Sequence, residues 1–117
     1  NGTYSAGFLG VLAGTATTIT ATVNGTPVTT TLPTLTVTPG APSPAQSLVT
    51  VSSYSINSGS TSTITLTAID AAGNLITTGG ATVTFARSGG TSTGTISAVT
   101  NVGNGTYTAT FTGVLSG

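Results

Sequence analysis

Almost every group that proteins use for chemistry is missing from this chain. Its 117 residues include no histidine, cysteine, lysine, glutamate, methionine or tryptophan, and the only charged side chains are Asp70 and Arg87. General acid–base catalysis needs a titratable group near the working pH. A catalytic triad needs an imidazole or amine beside its nucleophile. One carboxylate supplies neither, so no catalytic residue is expected and the chain is read as a non-enzyme. A zinc site needs Cys or His, and a tight calcium site needs several carboxylate oxygens. No metal and no cofactor are expected. One arginine is not the basic footprint that nucleic acid requires. Without cysteine there is no disulfide, and the redox compartment cannot be read from thiols. No apolar run approaches the ~18 residues of a membrane-spanning helix, so no membrane insertion is expected. No signal-peptide pattern is present, which fits a mature or excerpted chain.

What the chain has in abundance is threonine, 30 of 117 residues, with 13 serines. Low charge with Ser, Thr and Gly can mean disorder, but here Val, Ile, Leu, Tyr and Phe alternate with Thr over long stretches. That period of two is the signature of a half-buried strand, and β-branched Thr suits a pleated surface. In Thr106–Thr112, Tyr107, Ala109 and Phe111 share one face. In Thr63–Ile69, Ile64, Leu66 and Ala68 do the same. Val49 with Val51, Val83 with Phe85, Ile96 with Ala98, Leu35 with Val37, and Ile19 with Ala21 and Val23 mark further strands. No segment has a helical period. Asn24-Gly25 predicts a tight hairpin, and Gly73-Asn74, Gly79-Gly80 and Gly89-Gly90 predict turns. The three prolines of residues 39–44 exclude a central strand and predict a stiff, extended connector.

One feature is not local. The chain begins NGTYSAGFLGVLAG and ends NGTYTATFTGVLSG, and these segments agree at ten of fourteen positions. Such self-similarity is what a segment of a periodic array contains.

Four stretches, in order, resemble the bacterial immunoglobulin-like repeats of the invasin and intimin type. They are Ala13-Gly14-Thr15-Ala16 leading to Asn24-Gly25; Pro39-Gly40-Ala41-Pro42 leading to Val49-Thr50-Val51; Asp70-Ala71-Ala72-Gly73-Asn74; and Gly103-Asn104-Gly105-Thr106-Tyr107. The resemblance implies an all-β fold, an immunoglobulin-like antiparallel β-sandwich of about seven strands per repeat. Residues 1–38 are then the last strands, F and G, of one repeat. Residues 39–44 are a Pro-rich linker. Residues 45–117 are the next repeat from strand A to strand F, lacking its final strand, so that Thr106–Thr112 has an open edge. Tyr4 and Tyr107 correspond to the tyrosine corner of such sandwiches, and Phe8, Phe85 and Phe111 are expected in the core.

The surface expected from this phasing is unusually apolar for the family. Leu9, Leu48, Tyr54, Ile69, Leu75, Ile76 and Val102 look exposed by phase or turn position. Together, on an uncharged domain, they are candidates for contacts between repeats or subunits. Asp70 is read as a turn former bonding the backbone of Ala72 or Gly73, with calcium bridging as the alternative. Arg87 either pairs with Asp70 or reaches solvent. The three Asn-Gly-Thr sequences at Asn1, Asn24 and Asn104 match glycosylation acceptors, but turn formation explains them more simply.

These features point to a structural spacer of a bacterial extracellular fibre or surface adhesin, outside the cell, whose partners are neighbouring repeats or copies of itself. The alternative is a self-polymerising filament subunit completed by strands donated from a neighbouring copy. A third reading, direct binding of a host ligand through loop tips such as Ser88–Gly94, has no aromatic platform or acidic cluster behind it.

Overall fold

The computed structural model describes residues 1–117 and divides them into two compact units, Asn1–Pro39 and Gly40–Gly117. There is no helix, and every strand pairing is antiparallel.

In the first unit, β1 (Thr17–Thr18) pairs with β4 (Thr34–Leu35), and β2 (Thr22–Val23) pairs with β3 (Thr26–Pro27). The turn between β2 and β3 places Asn24 at φ 49° and Gly25 at φ 82°. That left-handed pair is what the Asn-Gly sequence permits, and its twist matches the strands it joins. Backbone N–H groups of Gly14, Ile19 and Val28 donate to the carbonyls of Val37, Pro33 and Ala21. Residues 14–37 therefore run as one long hairpin, irregular where residues 29–32 lie opposite Thr20. It is too thin to bury much, and Ile19, Val23 and Leu35 remain exposed.

The second unit is a five-stranded sheet. Its strands are β5 (Leu48–Val51), β6 (Thr61–Thr67), β7 (Thr93–Ile96), β8 (Thr100–Asn101) and β9 (Thr106–Leu115). The order is β5-β6-β9-β7, with β8 also on β9. The centre is the β6–β9 ladder, which sets Ser62 opposite Phe111, Ile64 opposite Ala109, and Leu66 opposite Tyr107. Residues directly opposite share a face. One face therefore carries the apolar residues. The other carries Thr61, Thr63, Thr65 and Thr67 against Thr112, Thr110, Thr108 and Thr106. Ile64, Ala68, Tyr107 and Ala109 are the buried apolar residues, and all lie on or beside this ladder.

This order corrects the expected strand assignment. The ten residues of β9 are not an open edge: β6 flanks one side, and β7 and β8 flank the other. In an immunoglobulin sandwich one sheet has the order A-B-E-D, and β5-β6-β9-β7 matches it, so β9 takes position E rather than F. The expected strand at Val83 and Phe85 is also absent. Residues 76–92 form no strand, although Ala81, Val83 and Phe85 are half-buried and Thr82, Thr84 and Ala86 exposed. The alternation survives without a ladder, because backbone groups need a partner to pair with. Ala98 likewise falls outside β7 and is exposed.

The two copies of the fourteen-residue repeat differ in strand structure and burial. The second forms most of β9. The first forms no strand, and in it Tyr4 is 98% and Phe8 57% exposed, against the expected corner and core positions. Nothing in residues 1–39 corresponds to β6. What the copies do share is local. Asn1 Oδ1 accepts from the backbone N–H and hydroxyl of Thr3, and Asn104 Oδ1 accepts from the same groups of Thr106. The next residues, Gly2 and Gly105, have φ 75° and 88°.

These glycines generate a prediction. A Cβ at Gly2 meets open space, whereas one at Gly105 collides with the carbonyl oxygen of Ile76. Gly2→Ala should cost only the left-handed penalty of about 1–2 kcal/mol. Gly105→Ala adds a backbone collision and should abolish the cooperative thermal transition of the sheet, read by circular dichroism. Tyr107 gives a second. Its ring is 2% exposed, and its hydroxyl accepts from the N–H groups of Gly80 (3.1 Å) and Ala81 (3.0 Å). Tyr107→Phe leaves two donors unpaired and should lower unfolding free energy by about 1–3 kcal/mol in urea titration.

Candidate functional site

The sole carboxylate anchors the point where the chain joins the sheet. Asp70 lies just past β6, and only 5% of its surface meets solvent. Oδ1 accepts from the backbone N–H of Ala72 at 3.0 Å and of Asn74 at 2.8 Å. Oδ2 accepts from the backbone N–H of Gly40 at 2.8 Å and from Asn74 Nδ2 at 2.9 Å. A carboxylate offers about four lone-pair sites. All four are taken by N–H donors, which leaves none directed at a cation. The turn reading of Asp70 therefore describes its contacts: Ala72 and Asn74 donate to the carboxylate, and Gly73 N–H donates to the Asp70 backbone carbonyl at 3.1 Å. Arg87 is exposed.

Gly40 is the donor the sequence did not suggest. Pro42 bridges to Asp70, Ser43 N–H donates to the Ile69 carbonyl, and Ser47 Oγ both accepts from Ile69 N–H and donates to its carbonyl. The Pro-rich stretch is thus not a free connector over residues 39–44. From Gly40 onward it is part of the second unit, held against the end of β6. Prolines lack the N–H, so this edge is tied by Gly40, Ser43 and the Ser47 hydroxyl instead. Ser62, buried within β6, uses its hydroxyl in the same manner on the backbone N–H and carbonyl of Ser53. A polar residue at an apolar phase, as in Ser62 two before Ile64, was the available signal for such a bond.

The apolar face of the sheet is only partly covered. One hollow of about 570 Å³ is lined by Val51, Tyr54, Ile56, Ile64, Phe111 and Leu115, among others. A second of about 450 Å³ lies between Pro42, Pro44, Leu66, Ala68 and Val83. Residues 76–92 belong to the connection between β6 and β7, and Ala81–Thr84 within them line the second hollow. They are held by Ile76 N–H to the Ala68 carbonyl and by the two bonds to Tyr107. No backbone hydrogen bond holds residues 82–88.

Within the second unit, the residues expected at contacts do not form one patch. Leu48 pairs across from Thr67, and Ile69 bridges to Leu75, so these three gather at one end of the threonine face. Leu9, Leu48, Tyr54, Leu75 and Val102 are exposed, whereas Ile69 and Ile76 are half-buried rather than exposed. Tyr54 lies at the rim of the larger hollow, and Val102 is in the turn before β9. Phe85 and Phe111 are half-buried, not core.

A family model, invasin domain 3, matches residues 43–117. No curated protein and no solved structure matches the chain. Domains of that family are immunoglobulin-like, adhesion-type modules of bacterial surface adhesins. The matched span covers the five-stranded sheet from the segment bonded to Ile69 through the end of β9. No helix is long and apolar enough to cross a membrane.

The Asp70 contacts set an acid limit. Its carboxyl pKa is lowered from 3.8 to about 2, first by the Gly40 N–H, then by the Asn74 side chain and backbone and by Ala72, with burial opposing. A depressed carboxyl pKa stabilises the fold fully above the unfolded value, and the stabilisation is lost as pH falls through the folded value. Thermal melts should therefore be flat from neutral pH down to about 4 and fall between there and about 2. Asp70→Asn should melt lower at neutral pH and lose most of that acid-side slope.

Proposed function

The chain belongs to the invasin domain 3 family, and from that premise we propose that it is a structural spacer, a repeating module in the stalk of a bacterial surface adhesin or extracellular fibre. The observation that carries this reading is the internal duplication. Two fourteen-residue segments identical at ten positions recur within 117 residues, one in each of the two compact units. A stalk needs modules that are stiff and joined in a fixed way, and it needs no reactive groups. The passage from Gly40 to Ser47 is tied by hydrogen bonds to Ile69 and Asp70, so the segment that leads into β5 is held to its own module. The composition suits the same role, since a single Asp and a single Arg leave the module nearly without charge repulsion toward its neighbours. Its partners on this reading are neighbouring repeats or copies of itself, outside the cell at the bacterial surface.

The test is the mass of the native polypeptide under fully denaturing conditions. The spacer reading expects a covalent array, many times the 11.2 kDa of these residues. A mass near 11.2 kDa overturns the covalent stalk and leaves a separate subunit.

A further inference from the structure

Arg87 is the only basic side chain among 117 residues, and it takes no part in the sheet or its margin. Its guanidinium has no hydrogen bond or ion pair within the chain. The one acid available to pair with it, Asp70, has both oxygens bonded elsewhere. Around Arg87 the chain is open. Residues 86–92 are seven exposed residues in succession, the longest such run in the second unit. No backbone hydrogen bond holds any of them. Ser88, Gly89 and Gly90 follow the arginine, so no bulky side chain obstructs the bond after it. Both glycines have φ 68°, and a glycine crosses to an extended conformation without steric penalty. The segment lies inside the second unit, between β6 and β7, so its place does not depend on what precedes or follows these residues.

Trypsin-class endopeptidases select an arginine by a carboxylate at the base of a pocket. They draw the flanking backbone out as an added strand, whose N–H and C=O groups must be free. Residues 86–92 meet both conditions, and no other segment of the chain meets the first. We propose that the Arg87–Ser88 bond is a cleavage site for an arginine-directed endopeptidase, and that the sheet stays assembled after the cut. The C–N bond breaks, the Arg87 carbon takes the hydroxyl of water, and the Ser88 nitrogen takes its proton. At neutral pH the carboxyl proton passes to the amine, leaving a carboxylate and an ammonium. Residues 1–87 then carry β5 and β6, and residues 88–117 carry β7, β8 and β9. All seven β6–β9 pairs span the two pieces. So do the bonds from Ala68 N–H to the Gly105 carbonyl, from Gly113 N–H to the Ser60 carbonyl, and from Gly80 and Ala81 N–H to the Tyr107 hydroxyl. Cleavage removes covalent continuity without removing the fold. The module changes from a permanent link into one that load or dilution can part.

The experiment uses the purified 117-residue chain and trypsin under native conditions. A synthetic peptide of residues 82–92 is the fully open reference. Cleavage that waits for global unfolding runs about a thousandfold or more slower than that reference. The folded chain should instead be cut at Arg87 within about tenfold of the peptide's rate. A control moves the arginine. Arg87→Gln with Thr63→Arg places it at an exposed residue of β6, where the ladder holds the backbone. With its melt unchanged by circular dichroism, this variant should be cut about a hundredfold or more slowly than the parent. The comparison of parent with peptide stands without it. Native mass spectrometry of the cut parent should give one species, the parent mass plus one water, which denaturation splits into residues 1–87 and 88–117. Its melting temperature should fall on dilution, as expected of two associated pieces.

Cleavage of the parent only at the rate of global unfolding overturns the site. Equal rates at Arg87 and in the Thr63→Arg control overturn it too, because the loop then has no openness of its own. Pieces that separate as soon as they are cut overturn the two-piece module. None of these outcomes bears on the mass of the native polypeptide, which alone decides the spacer reading.

Discussion

Seven cross-strand pairs between β6 and β9 support everything else in residues 40–117. β5 attaches to β6, β7 and β8 attach to β9, and the buried apolar side chains lie on these two central strands or next to them. The ladder is also what separates the two faces. With a period of two, a slip of one residue would turn the threonines inward and Ile64, Leu66, Tyr107 and Ala109 out to water. The pairing is therefore fixed by burial on one side, while on the other the threonines form β-branched cross-strand pairs across the sheet.

The repeated segment separates what a sequence encodes by itself from what it encodes only with a partner. The Asx-type turn at Asn-Gly-Thr forms at both ends of the chain, because the side chain and the groups it bonds lie two residues apart. The strand forms only where β6 is present. Residues 81–87 make the same point, with an alternating pattern but no ladder. This is why the strand-like alternation and the Asn24-Gly25 hairpin were readable, while the position of β9 in the sheet was not. Its place depends on pairing with β6, far back along the chain, and periodicity carries no information about which strand will be the neighbour.

The ties at the sheet margin were the least visible. A serine is an ordinary loop residue, yet Ser47 and Ser62 each hold both backbone groups of another residue. Asp70 makes the local turn bonds that a short carboxylate side chain favours, but its bond to Gly40, thirty residues earlier, has no local signature. The prolines suggested a connector for a sound reason, their missing N–H. They do not predict that Gly40 and Ser43, between them, would supply the donors that dock the segment. Tyr107 is buried on the apolar face that its alternation implied, but its hydroxyl reaches Gly80 and Ala81 rather than the nearby backbone expected of a corner.

The direction of the strands has a mechanical consequence. β5 and β9 both run antiparallel to β6, so they are parallel to each other. The chain joins the sheet at the start of β5 and leaves it at the end of β9, which places these two points at opposite ends of the strands. Tension applied between them pulls β5 and β9 in opposite directions along β6. Ladder hydrogen bonds lie across the strands, so such a load shears many at once instead of opening them one by one as in a zipper. A sheet strung in this way resists stretching far better than its modest buried core would suggest.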